Sequence, residues 1–246
     1  MQHRSMVTPL SPVQVQKDRY FPPHTHPYRL LERMIDENIT SDSAVLDIGC
    51  GRTAPALRRL KGRARVLYGV DLVDFTQEKE DLHLFNADVS RMPFLDDASV
   101  DLAYSRSVME HVQDAEGAYR EIYRVLKPGG QYVFLTPNKW DYSAVIAMVI
   151  PNSWHPRIVR LVSGRAEEDT FPTYYRSNTK SDIYKLAKEA GFQVKKLDYL
   201  NQYPAYLTFS RPLFWAGSQY ERLLSSFDSL AGIRGWLFCG LEKPGG

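Results

Sequence analysis

Long apolar runs are missing from this sequence: the longest, Ala144 to Ile150, falls far short of the ~20 residues a membrane-spanning helix requires. Residues 1–20 lack the continuous apolar core of a secretory signal, so a cytoplasmic protein is expected. Cysteine is scarce too. Cys50 and Cys239 are the only two, and neither has a Cys or His at metal-ligand spacing, which argues against a disulfide framework or a zinc site. Both read as packing residues, and no metal is expected. Charge of either sign is not in excess, with 31 Lys and Arg against 29 Asp and Glu, so nothing advertises a polyanionic partner. With no Asn/Asp-Pro-Pro-aromatic motif either, nucleic acid is not expected as substrate.

What is present fits one domain with a lid. Residues 1–26 form an N-terminal arm, rich in Pro, Gln and Ser over most of its length, that reads as mobile and able to fold over a ligand. From Pro27, the apolar residues Tyr28, Leu30, Leu31, Met34, Ile35 and Ile39 fall on one helical face. Strand patterns follow at Ala44–Ile48, Val66–Val70, Leu82–Ala87, Val100–Ser105 and Tyr132–Thr136. A helix over 115–126 precedes the last of these and is stopped by Lys127-Pro128-Gly129-Gly130. Such alternation predicts an α/β fold with a parallel sheet and helical crossovers. Thr179, with Asp182 three residues on, opens a further helix that Gly191 ends, and Phe192–Tyr199 and Ile233–Leu241 complete the strand candidates. The stretch 137–176 lacks strand periodicity and is longer than an ordinary connection, which marks it as a lid or substrate-recognition insertion.

The sharpest local signal is Val45-Leu46-Asp47-Ile48-Gly49-Cys50-Gly51, an apolar strand ending in an acid and a glycine turn. Glycines suit a turn that a nucleotide-bearing cofactor approaches closely. Gly49, Gly51 and Ala54 also satisfy the G-x-G-x-x-G/A pattern of dinucleotide enzymes, so a nicotinamide or flavin reading has to be weighed. Asp47 disfavours it, because a carboxylate there repels a pyrophosphate and suits a cationic sulfonium and amino group. Asp71 ends the next strand, where a carboxylate accepts ribose hydroxyls, and Asp88 ends the third, where an acceptor meets the exocyclic amine of adenine.

At these residues the chain resembles the class I S-adenosylmethionine-dependent methyltransferases, in the methyltransferase type 11 group. Supporting blocks are Asp88-Val89-Ser90-Arg91-Met92-Pro93-Phe94, Asp101-Leu102-Ala103-Tyr104-Ser105 leading into Val108-Met109-Glu110-His111-Val112, and Leu126-Lys127-Pro128-Gly129-Gly130. The resemblance implies a Rossmann-like seven-stranded sheet, mostly parallel with the last strand antiparallel, and helices on both faces. It implies S-adenosyl-L-methionine as cofactor: Asp47, Gly49 and Gly51 at its methionine end, Asp71 at the ribose, Asp88 and Val89 at the adenine, backbone contacts from Ser105, and Leu72 as a further cofactor-binding residue. Thr53 stands where the family often has a third glycine.

Methyl transfer from a sulfonium is an in-line displacement in which alignment does most of the work, but an alcohol, phenol or carbon acid also needs a base. His111 is the candidate, because it follows the fourth strand at the edge where open α/β sheets hold their ligands. The acceptor is expected to be a small molecule, a glycan or a lipid-linked molecule. Residues 167–176 resemble a segment of type 11 enzymes of polysaccharide and glycolipid pathways, and Thr136-Pro137-Asn138 resembles quinone-type O-methyltransferases. O-methylation of a sugar hydroxyl or phenol is therefore the leading expectation, with C-methylation of a lipid or quinone, or cofactor binding without transfer, as the alternatives. Mixed apolar and basic residues over 143–162 suit an interfacial helix, giving an expectation of peripheral membrane contact.

Overall fold

The computed structural model describes residues 11–76, 82–142, 144–145 and 171–245. Seven strands form one sheet in the order β3-β2-β1-β4-β5-β7-β6. They are β1 Ala44–Ile48, β2 Val66–Asp71, β3 His83–Asn86, β4 Val100–Arg106, β5 Leu126–Pro137, β6 Gln193–Leu200 and β7 Trp236–Glu242. β1 pairs in parallel with β2 and β4, β2 with β3, and β4 with β5. β7 is antiparallel to both β5 and β6, as the resemblance implies. The sheet order reverses direction between β1 and β4, and a crevice at such a switch point, outside the carboxyl ends of the strands, is where doubly wound sheets bind ligands.

All of β1 is buried, as expected of a central strand covered on both faces. Leu46 and Ile48 point into a core shared with α4 (Ala115–Val125) and α5 (Lys180–Ala190). Val45 points into the opposite core, closed by α2 (Pro27–Asn38) and the short α3 (Pro55–Arg59). The ends follow local chemistry. Asp114 accepts the Gly117 N–H at the start of α4, Thr179 accepts the Asp182 N–H at the start of α5, and Gly191 closes α5 at φ +97°. Both cysteines are buried and free.

Four elements differ from the sequence-based reading. Pro12–Tyr20 is a helix, α1, whose Ser11 cap accepts the Gln14 N–H, so this part of the arm is ordered and packs on the last helix. That last helix, α6 (Arg211–Ser226), occupies an aromatic segment for which no helix was expected. Its periodicity is masked because apolar side chains lie on its exposed face as well as its buried one. Ile233 ends a 3₁₀ turn, and β7 begins only at Trp236. β5 also starts earlier than expected, at Leu126. A register shift opposite Val100 and Leu102 absorbs the Pro-Gly-Gly step that ends α4. Of the 137–176 insertion, residues 143 and 146–170, and with them nearly all of the interfacial segment, lie outside the described residues.

Candidate active site

The glycine turn after β1 is held from β2. The N–H groups of Gly49 and Cys50 both donate to the Val70 carbonyl, at 2.8 and 3.3 Å. Gly49 (φ +73°) and Gly51 (φ +75°) occupy left-handed backbone that glycine adopts without strain. Their surroundings differ. A Cβ on Gly49 would lie 2.2 Å from Val108 Cγ2, so this glycine is required by packing against the β4 loop. A Cβ on Gly51 would meet no heavy atom within 4 Å, so it faces open space of the kind a ligand fills. Ala54 also sits at φ +44°, a conformation costing a non-glycine residue roughly 1–2 kcal/mol. It caps α3, whose first residue is Pro55.

Asp71 organises this loop before any ligand arrives. Its Oδ2 accepts the Gly51 N–H at 2.7 Å and its Oδ1 accepts the Val73 N–H at 3.2 Å. Each carboxylate oxygen keeps a second lone pair, which suits ribose hydroxyls. Asp47 is buried on the α2 side of the sheet, and burial lifts its carboxyl to about 7. Tyr104 and Arg106 act in the opposite direction and Asp71 adds to the rise. The Tyr104 hydroxyl stabilises the charged form by proximity but is itself buried without a well-formed hydrogen bond. A buried carboxyl with so little compensation is ready for a cationic partner, and the amino group and sulfonium of S-adenosylmethionine are cationic.

At the next strand ends, Leu72 is 57% exposed, leaving an apolar face free beside the ribose position. Asp88 is exposed, and its Oδ1 accepts the Ser90 N–H at 2.8 Å. Val89 is buried in the core, so only its backbone can face a ligand. Ser105 is wholly buried, backbone included, and its Oγ bonds the Tyr132 hydroxyl at 2.8 Å, so the structure does not bring it to the surface of the site. α2 reaches this edge through Tyr28. Its hydroxyl lies 3.4 Å from Ser107 Oγ, its ring takes the Arg106 guanidinium at 4.6 Å, and the Trp236 ring packs against it edge-on.

His111 sits at the site's edge, but one ring nitrogen is already committed. Nδ1 lies 2.9 Å from the Pro172 carbonyl, which can only accept, so Nδ1 carries a proton. His111 thereby ties the segment after residue 170 to the end of β4. The neighbour that the sequence reading passed over, Glu110, is only 5% exposed. Its Oε2 accepts the Thr136 hydroxyl at 3.2 Å, and His111 Nε2 is 3.9 Å from its Oε1. Asn178 donates to Thr136 Oγ1 at 2.7 Å, and the Glu110 carbonyl accepts the N–H groups of Tyr174 and Tyr175. Burial pushes the Glu110 carboxyl above its ordinary range.

Beyond Glu110 lies a cluster of tyrosines and carboxyls. Tyr175, at φ +51°, feels the charges of Glu110 and Asp141, which with burial raise its hydroxyl. Asp141 and Glu221 are both buried, and burial together with Asp141 lifts Glu221 to about 8. The rings of Tyr142 and Tyr220 meet edge-on at 5.5 Å beside them. These groups come from β5's exit, the 171–176 strip and α6, so no linear motif contains them. The available signal was Glu221, the only acid in the aromatic stretch from Tyr203 to Phe227.

Comparison with known proteins agrees with this geometry. Residues 46–134 match the model of a methyltransferase domain family. The 24-methylenesterol C-methyltransferase 2 of Arabidopsis thaliana is 28% identical over 222 residues, covering 82% of this chain and 58% of that protein. The chain therefore spans little more than half the length of that relative. The geranyl diphosphate C-methyltransferase of Streptomyces coelicolor A3(2), solved with S-adenosyl-L-homocysteine, superposes with a TM-score of 0.56 at 16% identity, covering 88% of this chain and 76% of that one. A putative methyltransferase complexed with the Haloferax volcanii Trm112 activator gives a TM-score of 0.57 at 19% identity, covering 94% and 93%. The glycine turn, the acidic strand ends and the seven-stranded order belong together: residues 46–134 match a methyltransferase domain, and the fold is that of class I S-adenosylmethionine-dependent methyltransferases.

Proposed function

We propose that this chain transfers the methyl group of S-adenosylmethionine to a carbon atom of an isoprenoid or sterol-like lipid. Two relatives named above are C-methyltransferases of such molecules, which favours the carbon alternative over the oxygen acceptor first expected. The observation that carries the reading is buried Glu110, set beside the tyrosine and carboxyl cluster at the carboxyl edge of β4 and β5.

Bound S-adenosylmethionine supplies an electrophilic methyl group on a sulfonium that departs as a neutral thioether. Asp47, Gly49, Gly51 and Asp71 would hold it, with Leu72 and Asp88 toward the adenine. When an acceptor double bond takes the methyl group, its second carbon becomes positively charged. Tyrosine ring faces stabilise such a cation, and an ionised carboxylate at short range stabilises it further. Glu110, ionised, then takes a proton from a carbon next to the charge, which restores a double bond. Thr136 and Asn178 fix the orientation of that carboxylate, and His111 holds the 171–175 strip against it.

The test is incubation with methyl-labelled S-adenosylmethionine and a panel of sterols, prenyl alcohols and prenyl diphosphates, with products located by mass spectrometry and NMR. A new carbon–methyl bond supports the reading. A methyl ether as the sole product would overturn it.

A further inference from the structure

Exposed apolar residues are unevenly spread over the described surface. Eight of the fifteen large hydrophobics that stand exposed fall between Tyr206 and Ile233. On α6, Leu213, Ala216, Tyr220 and Leu223 recur at helical spacing on one exposed stripe that Phe227 extends. The opposite side is anchored in the protein through Phe214, Ser218 and Glu221. A flank is occupied by α1, where the Arg222 guanidinium lies 5.0 Å from the Tyr20 ring. The helix is therefore amphipathic in an inverted sense, with an apolar stripe left facing solvent. Its only acid, Glu221, is buried, so its exposed charges are two arginines, Arg211 and Arg222.

We infer that α6 is a docking helix for a lipid bilayer surface carrying anionic headgroups. The inference rests on the lipid acceptor proposed above, and three observations single out this occupant. Leucine and aromatic side chains flanked by arginines match the chemistry of a helix lying in a membrane interface. The helix's own exposed charges are positive and complement anionic headgroups, and the exposed Asp228 just beyond it is paired with Arg234. Tyr220 belongs both to the stripe and to the cluster around Asp141 and Glu221, so the stripe runs without a break into the acceptor site. An acceptor dissolved in a membrane can then enter the cluster without crossing water. Among the described residues no helix is long and apolar enough to cross a membrane, so this contact is peripheral. The surface is distinct from the 143–162 segment to which the sequence assigned membrane contact.

The experiment is co-sedimentation of the full chain with vesicles of phosphatidylcholine, with and without phosphatidylglycerol. The wild type is expected to partition into the phosphatidylglycerol vesicles. Leu213→Asp with Leu223→Asp should lower that partitioning at least about tenfold, and Arg211→Glu should weaken it further than it weakens binding to neutral vesicles. Both leucines are exposed and outside the site, so thermal melting and S-adenosylmethionine affinity should not change, which separates lost docking from lost folding. A wild type that stays in the supernatant, or a double variant that sediments like wild type, overturns the inference. So does a concentration-dependent dimer that the double variant abolishes, which would assign the stripe to a second copy. Vesicle binding without methylation of any isoprenoid would leave the docking helix standing and remove the acceptor reading.

Discussion

The two halves of the candidate site are built on different principles. At β1 and β2 the site is mostly backbone: two glycines, a strained alanine and an aspartate that braces the loop through two N–H groups. At β4, β5 and α6 it is side chain: buried carboxyls among tyrosines drawn from three separate segments. Cofactor recognition asks for close approach and fixed dipoles, which local sequence can encode. Acceptor recognition asks for a shaped, poorly solvated wall, which only packing supplies.

If Glu110 is the proton acceptor, Glu110→Gln keeps the hydrogen bond from Thr136 but removes the base. Single-turnover methyl transfer should fall about 10²–10⁴-fold, with S-adenosylmethionine affinity held, as read by rapid quench and calorimetry. His111→Ala should cost less, because one ring nitrogen already serves the Pro172 carbonyl. Equal losses in the two variants would break the division of roles.

The cofactor end should respond in affinity instead. Asp71→Ala removes the acceptor for the Gly51 and Val73 N–H groups as well as the proposed ribose contacts, so calorimetry should show binding of S-adenosylmethionine weakened by about 1.5–3 kcal/mol. Unchanged affinity would remove Asp71 from the site.

Glu221 separates the two ends by pH. Its carboxyl is raised to about 8 in the folded chain, from an ordinary value of 4.5, so between these values the folded state holds a proton that the unfolded state releases. Stability is therefore highest below the lower value and falls as pH rises through the window. Melting temperature should decline from about pH 5 to about pH 8, and Glu221→Gln should flatten the decline, at roughly 2–4 °C per kcal/mol for a domain of this size. Asp47, raised to about 7, contributes in the same direction, so a residual slope in Glu221→Gln should disappear in a variant that also carries Asp47→Asn.

The smallest effect is expected at Ala54. Ala54→Gly relieves left-handed strain while adding unfolded-state entropy, so denaturant melts should show a change within about 1 kcal/mol, and a large loss would mean the methyl group is needed for packing.

The parallel strands, the glycine turn, α2, α4 and α5 were legible because each is a local pattern: alternation, a cap three residues from its partner, a glycine where φ must be positive. α6 was not, because its exposed stripe is apolar and erases the polar half of the helical period. Glu110 stood in plain view beside His111, but the two differ only in what surrounds them, one sealed under Thr136 and Tyr175, the other bonded to a carbonyl 61 residues away. The sequence by itself determined the fold class and the glycine turn with its acidic strand ends, since a strand, a tight turn and an acidic strand end are each properties of a few consecutive residues. Only the tertiary structure decided which carboxyls are buried together and which helix face is left bare, since burial is a property of everything that packs around a residue and not of the residue itself.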